Sequence, residues 1–289
     1  MRSKFTDYMN FYAATSLSQM APQSCTDQIS VEKFYDDAAN VAAALKQPCT
    51  YLNNGYWDEG ISTRQQAGDN LMRVISHGIV KRHFETDNCL SVLDVACGLG
   101  ATTNYLSKRW PSADIVGINV TDRQLDLCRI NAPTCRFARM DATSLAVPST
   151  SVDIVVCIEA AFQFRTRQAF LEEAYRVLKP TGIIALTDVL VARETHEVPH
   201  KFSAHHPVEN QLDSTQAYRD LMEKVGFRNV AISDITNEGA LSYFRHHTSE
   251  LLGRWRQGTL TFAGLQGNLR DLLLLECLLH IQVLVFGSK

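Results

Sequence analysis

SVLDVACGLGATTNYLSKRW, residues 91–110, sets a short apolar run against two glycines one residue apart and then resumes with helical spacing. A buried run, a Gly-rich turn and the first turns of a helix make a strand–turn–helix unit. The same rhythm repeats around it. SVLDVA, DIVGIN, CRFARM, VDIVVCI and GIIALTD are short apolar runs separated by helix-patterned segments, which predicts a parallel sheet with helices on both faces. Between the last two, Phe170, Ala174 and Val177 share a helical face, and Pro180 with Gly182 stops that helix. Tyr218, Leu221, Met222 and Val225 mark another helix ended by Gly226. The strand FRNVAISDIT follows, and IQVLVF, just before the C-terminus, is placed beside it to close the sheet.

Upstream, Phe34, Ala38, Val41, Ala42 and Leu45 fall on one face of an amphipathic helix. PCTYLNNGYWDEGIS then reads as an aromatic elbow with turn residues at Asn53, Asn54 and Gly55. Two helices are expected around Gly258. The boundaries are an N-terminal helical cap over 1–66 and a core over 67–289, with a lid at about 190–213 and a helical insertion at about 237–280.

The 289 residues are 45% apolar, enough to bury a sizeable core, and the net charge of -3 lacks the basic footprint of a nucleic-acid-binding protein. No signal-peptide core or membrane-spanning run stands out, so a cytoplasmic location without a membrane span is expected. Eight scattered cysteines, with no C-x-x-C pair, read as free and mostly buried thiols.

In an open parallel sheet, ligands sit beyond the carboxyl ends of the strands where strand order reverses. A glycine turn opening a helix offers free N–H groups there and lets a ligand approach the main chain. The dinucleotide fingerprint needs a third glycine. Here Gly98 and Gly100 are followed by Ala101, Thr102 and Thr103, which counts against NAD, while Asp94 beside the turn suits an amine-bearing ligand.

LDVACGLG followed by DIVGIN, RMDATSLAVPSTSVDIVVCIEAAFQF, EEAYRVLKPTGIIALTDV and EKVGFRNVAISDIT resembles, in order and spacing, the class I S-adenosylmethionine-dependent methyltransferases. The likeness is to the small-molecule branch that includes tocopherol, sarcosine/dimethylglycine and natural-product sugar methyltransferases. It covers roughly Phe34 to Thr236. The fold it implies is α/β: a Rossmann-like, doubly wound, mainly parallel seven-stranded sheet with an antiparallel last strand, an N-terminal helical cap and helical insertions. The activity it implies is methyl transfer from S-adenosyl-L-methionine, leaving S-adenosyl-L-homocysteine, to a small, partly apolar acceptor through oxygen, nitrogen or carbon. A catalytically weak partner subunit or regulator on the same fold is the alternative. The expected partner is the small-molecule acceptor, with no nucleic acid and with homo-oligomerisation left open.

The resemblance also implies roles. Asp94, Gly98 and Gly100 lie under the methionine and ribose, with Ala96 where relatives often have glycine. Asn119 stands where most relatives carry a ribose-binding acid, and Gln124 matches a neighbouring glutamine. Asp141 and Ala142 match the pair that receives adenine. Tyr35 and Tyr56 match aromatic residues that cap the methionine end. Glu159 matches an acidic position facing the pocket, and Gln163 replaces the histidine of the usual E-x-x-x-H, so a base must come from elsewhere. Asp188 is the expected base, helped by His196 or His200. Trp57, Gln163, His205, His206 and Trp255 are expected toward the substrate. The aromatic stripe from Tyr243 through Trp255 to Phe262 fits either an acceptor wall or an oligomer interface. The four histidines lack metal-site spacing, and no metal is expected.

Overall fold

The computed structural model describes residues 50–83, 90–191 and 210–289. Helix α1 (Arg64–His83) leads into β1 (Ser91–Val95), α2 (Ala101–Arg109), β2 (Asp114–Asn119), α3 (Asp122–Asn131), β3 (Arg136–Arg139) and β4 (Val152–Ile158). After a 3-10 turn, Ala161–Gln163, come α4 (Arg167–Val177), β5 (Leu178–Val191), α5 (Thr215–Val225) and β6 (Arg228–Asp234). A helical hairpin, α6 (Ser242–Arg256) and α7 (Phe262–Leu278), precedes β7 (Leu279–Ser288).

The seven strands form one sheet in the order β3-β2-β1-β4-β5-β7-β6. Strands β1 to β5 pair in parallel, and β7 runs antiparallel between β5 and β6. Burial on both faces explains the unbroken apolar runs. Leu93, Val95, Val155 and Cys157 point to the side covered by Phe170, Leu171, Ala174 and Val177 of α4. Val92, Ile154 and Val156 point to the other side, under Leu71, Met72, Ile75 and Ile79 of α1. Gly78 brings α1 close to the sheet: a Cβ there would stand 2.3 Å from the Phe286 ring of β7. Cys97, Cys128 and Cys157 are free and buried, and Cys135 is free and half-buried.

Helix α4 stops at Val177, before Pro180. Leu178 already has extended backbone angles and begins β5. The strand carries Pro180 because its first residues pair irregularly, the register to β4 shifting between Val152 and Ile154. Among the described residues, no helix is long and apolar enough to cross a membrane.

Candidate active site

Strand order reverses in the sheet between the parallel β1 and β4, and a cavity of about 530 Å³ opens beyond their carboxyl ends. Its walls are the strand ends and the residues just beyond them: Val95 to Leu99 at β1, Ile118 to Val120 at β2, Met140 to Ala142 after β3, and Ile158 to Ala160 at β4. Thr50 to Asn53 cover it, and Gln163, Phe164 and Arg165 close one end.

The turn after β1 alternates backbone hand. Ala96, Gly98 and Gly100 have φ of 56°, 56° and 86°. For Ala96 the left-handed conformation costs about 1 kcal/mol, which a glycine would not incur. At Gly100 the helices meet closely, since a Cβ there would lie 3.2 Å from Cys128 Cα. Among the described residues, the Gly98 and Leu99 amides donate to no protein acceptor. They stand at the start of α2, where free N–H groups collect.

Asp94 is fully buried behind this turn and is not on the cavity wall. Its carboxylate accepts a 2.6 Å bond from Thr103 Oγ1, and burial pushes its pKa up to about 7 despite that bond. It ties β1 to α2 and so shapes the turn from beneath, whereas its sequence position had suggested direct contact with an amine.

At the end of β2, Asn119 Nδ2 donates to Gln124 Oε1 at 2.6 Å, and both residues line the cavity. This amide pair stands where the sequence predicts the ribose contact, and it presents donors as well as acceptors. Asp141 and Ala142 line the far end. Asp141 Oδ1 accepts from Thr143 N at 2.7 Å and Thr143 Oγ1 at 2.8 Å.

Glu159 follows β4 with a left-handed φ of 49° and lines the cavity. Both its oxygens accept the Asn54 amide at 3.1 Å, and Oε1 also accepts from Gln282 Nε2 at 2.7 Å. Burial raises its pKa to about 8, against the lowering effect of the Asn54 and Gln282 bonds. The same carboxylate thus holds the covering loop down. That loop is pinned further by Tyr51 OH on Asp69 at 2.9 Å and by Asn53 Oδ1 accepting the Gly55 amide at 3.0 Å.

The structure does not bring Asp188 to the cavity. Asp188 is 0% exposed and Arg167 3%. Its carboxylate accepts from Arg167 Nε at 2.7 Å, Arg167 Nη2 at 3.2 Å, Tyr218 OH at 2.9 Å, Phe162 N at 3.2 Å and Val189 N at 2.8 Å. A carboxylate this saturated has no lone pair for an acceptor's proton, which corrects the expectation that it is the base. Arg167 also bonds Asn210, whose Nδ2 donates to the carbonyls of Ala161, Phe162 and Phe164 at 2.9–3.0 Å. The cluster therefore positions the turn that bears Gln163 and Phe164.

Tyr56 and Trp57 are not on the wall. Tyr56 packs toward α1, and Trp57 donates from Nε1 to Asn54 O at 2.8 Å while its ring lies 4.4 Å from that of His246. Tyr51 and Leu52, a few residues earlier, take the covering position expected of Tyr56. Trp255 is at the tip of the α6–α7 hairpin, away from the cavity lining. Tyr35, His196, His200, His205 and His206 lie outside the described residues. Gln282 was missed; its signal is a single polar residue inside the apolar run IQVLVF.

A family model described as a methyltransferase domain matches residues 92–182, from β1 into β5. Erythromycin 3''-O-methyltransferase of Saccharopolyspora erythraea is 25% identical over 253 residues, covering 81% of this chain and 78% of that protein. Two solved structures share the fold. The [4+2]-cyclase SpnF superposes with a TM-score of 0.67 at 20% identity, covering 90% of this chain and 94% of that one. Phosphoethanolamine N-methyltransferase 2 of Haemonchus contortus, in complex with phosphomonomethylethanolamine and S-adenosylhomocysteine, gives 0.65 at 15% identity, covering 99% of this chain and 60% of that one.

Proposed function

We propose that this chain, a class I S-adenosylmethionine-dependent methyltransferase, methylates a small, partly apolar acceptor bearing an O–H or N–H group, and that Glu159 takes up the acceptor's proton. The observation that carries the reading is the placement of Glu159 on the cavity wall, at the end of β4 and beside Gln163 and Phe164. Of the carboxylates lining the cavity, Asp141 is exposed and stands at the opposite end, after β3.

The residues present fit the cofactor. The free Gly98 and Leu99 amides and the approach that Gly98 leaves open suit the methionine end. Asn119 with Gln124 suits a ribose, and Asp141 with Ala142 suits adenine. When bound, S-adenosylmethionine supplies a methyl group already activated on sulfur. The protein's task is then alignment, exclusion of water and removal of a proton. Tyr51, Leu52 and Asn53 exclude water from above. Gln163, Phe164 and Arg165 make a mixed wall for the acceptor. A Glu159 Oε atom, already ordered by Asn54 and Gln282, accepts the proton as the new bond to carbon forms. With a pKa near 8, the ionised form of Glu159 grows as pH rises toward 8, and that form is a stronger base than an exposed glutamate. The hydroxyl acceptor named for the Saccharopolyspora relative supports an O–H substrate.

Calorimetric titration with S-adenosylhomocysteine tests the cofactor half. Gly98→Val, which sets a branched side chain on the cavity wall at a left-handed position, is expected to weaken binding by more than about 100-fold, the scale of a lost close backbone approach plus strain. Undiminished binding would overturn the placement.

A further inference from the structure

The tip of the α6–α7 hairpin is unused by the site described above. Trp255 and Phe262 are 42% and 59% exposed, and their ring centroids are 6.3 Å apart. Beneath them Leu260 and Leu265 are buried with Phe244 and Leu251, so the hairpin has its own apolar core and the two rings are surplus to it. The whole hairpin sets four arginines against Glu250, Asp271 and Glu276, but the stretch around its tip, Gly253 to Leu269, holds Arg254 and Arg256 with no acid, a local net of +2 in a chain of net -3. Glu250 lies on the helix before the tip, where His247 Nδ1 approaches it at 3.5 Å. Arg245, Arg256 and Arg270 are exposed.

The hairpin also stands on the functional side of the sheet. Helix α6 follows the carboxyl end of β6, and α7 returns to the start of β7, where Leu279 pairs with Val191 at the carboxyl end of β5. Its base is joined to the loop that covers the cavity: the Trp57 amide donates to Glu238 O at 2.6 Å, and the Trp57 ring lies against His246.

We propose that this hairpin tip docks on an anionic lipid surface, with Trp255 and Phe262 entering the interface and the exposed arginines meeting lipid phosphates. Exposed aromatic rings flanked by arginine suit the boundary between headgroups and acyl chains, where a ring buries apolar area and a guanidinium keeps its charge in water. A second copy of the chain would carry the same positive tip, so self-docking there would bring like charges together. An anionic surface has the complementary charge. The tip lies on the side where the cavity opens, so docking would bring the covering loop near a membrane-dissolved apolar molecule. The proposal stands on the hairpin alone and does not depend on the role assigned to Glu159.

Co-sedimentation of the full chain with large unilamellar vesicles tests it, using phosphatidylcholine with and without 30 mol% (about) phosphatidylglycerol, a mixture in the usual anionic range. Binding is expected only with the anionic lipid, and it should fall in high salt. Each of Arg256→Gln and Arg270→Gln should weaken it about fivefold. Trp255→Ser combined with Phe262→Ser should remove it, while S-adenosylhomocysteine affinity and melting temperature stay unchanged. No binding to anionic vesicles would overturn the proposal, as would binding that the double variant leaves intact. A wild-type dimer in sedimentation velocity that the double variant dissociates, with no vesicle binding by either form, would assign the patch to a second copy instead and equally overturn it.

Discussion

Asp188 in β5 and Glu159 just after β4 are acids on neighbouring chain segments, and they sit in opposite surroundings. Asp188 in β5 is sealed among Arg167, Tyr218 and two backbone amides, and its charge is spent holding the turn at Ala161–Gln163. Glu159, after β4, has no arginine bonded to it among the described contacts and is ordered by one amide N–H and one glutamine. A carboxylate bonded to a buried guanidinium at 2.7 Å is held in a structural ion pair. One held by neutral donors in a buried wall keeps a raised pKa and can exchange a proton. The lesson is that an acid's use is set by the charge of what bonds it more than by how deeply it lies.

The largest expected effect breaks the Asp188 side of this contrast. Asp188→Asn leaves Arg167 buried without its counter-charge, and the loss should be about 3–5 kcal/mol. For a chain of this size that is a fall in melting temperature on the order of 10 °C. A loss within experimental error would show that the pair is dispensable to the fold.

Next in size is a pH effect that sharpens the Glu159 side. Folded Asp94 and Glu159 hold protons up to about 7 and 8, against ordinary values of 3.8 and 4.5. In that window the folded chain binds more protons than the unfolded chain. These two groups therefore make stability highest below about pH 4, and it declines as pH rises through 7 and 8. Denaturant melts between pH 5 and 9 should show the decline, and Glu159→Gln should flatten its upper part. A wild-type slope retained in the variant would place the titration elsewhere.

The smallest effect concerns the turn between the two acids' strands. Ala96 has φ of 56°, so Ala96→Gly should relieve strain worth about 1 kcal/mol, partly offset by glycine's greater freedom in the unfolded chain. Melting temperature is expected to hold or rise by a few degrees, about 2–4 °C per kcal/mol. A clear fall would mean that the alanine methyl makes packing contacts that outweigh its backbone.

Much of this architecture was legible in the sequence because it depends on local pattern. Apolar runs of strand length, punctuated by Gly98, Gly100, Gly182 and Gly226, predict the sheet and the cavity's place at its reversal. Asn119 closes β2, Gly98, Asp141 and Ala142 follow strand ends closely, and Gln124 sits in the first turn of α3, so their positions on the wall follow from the strand ends. What local pattern could not show was pairing across the chain. Arg167 neutralises Asp188 from 21 positions away, and Gln282 reaches Glu159 from 123. Asn54 acts through a backbone amide, which carries no mark in a sequence. The aromatic elbow points to a cover, but which aromatics face the cavity depends on close packing at Gly55 and Gly68. A Cβ at Gly68 would stand 2.2 Å from the Tyr51 ring, so that glycine lets the ring approach α1 closely.

The central claim, that Glu159 and not Asp188 handles the acceptor's proton, is tested most directly by one side-by-side rate measurement. S-adenosylhomocysteine release from S-adenosylmethionine would be followed with a pooled small-metabolite fraction as acceptor, for wild type, Glu159→Gln and Asp188→Asn. The temperature should be low enough that all three are folded, and the cofactor saturating. Loss of a general base is worth about 100-fold or more. The account predicts that loss for Glu159→Gln and a much smaller one for Asp188→Asn. A Glu159→Gln enzyme that turns over at the wild-type rate, beside an Asp188→Asn enzyme that is folded, cofactor-loaded and inactive, would contradict it.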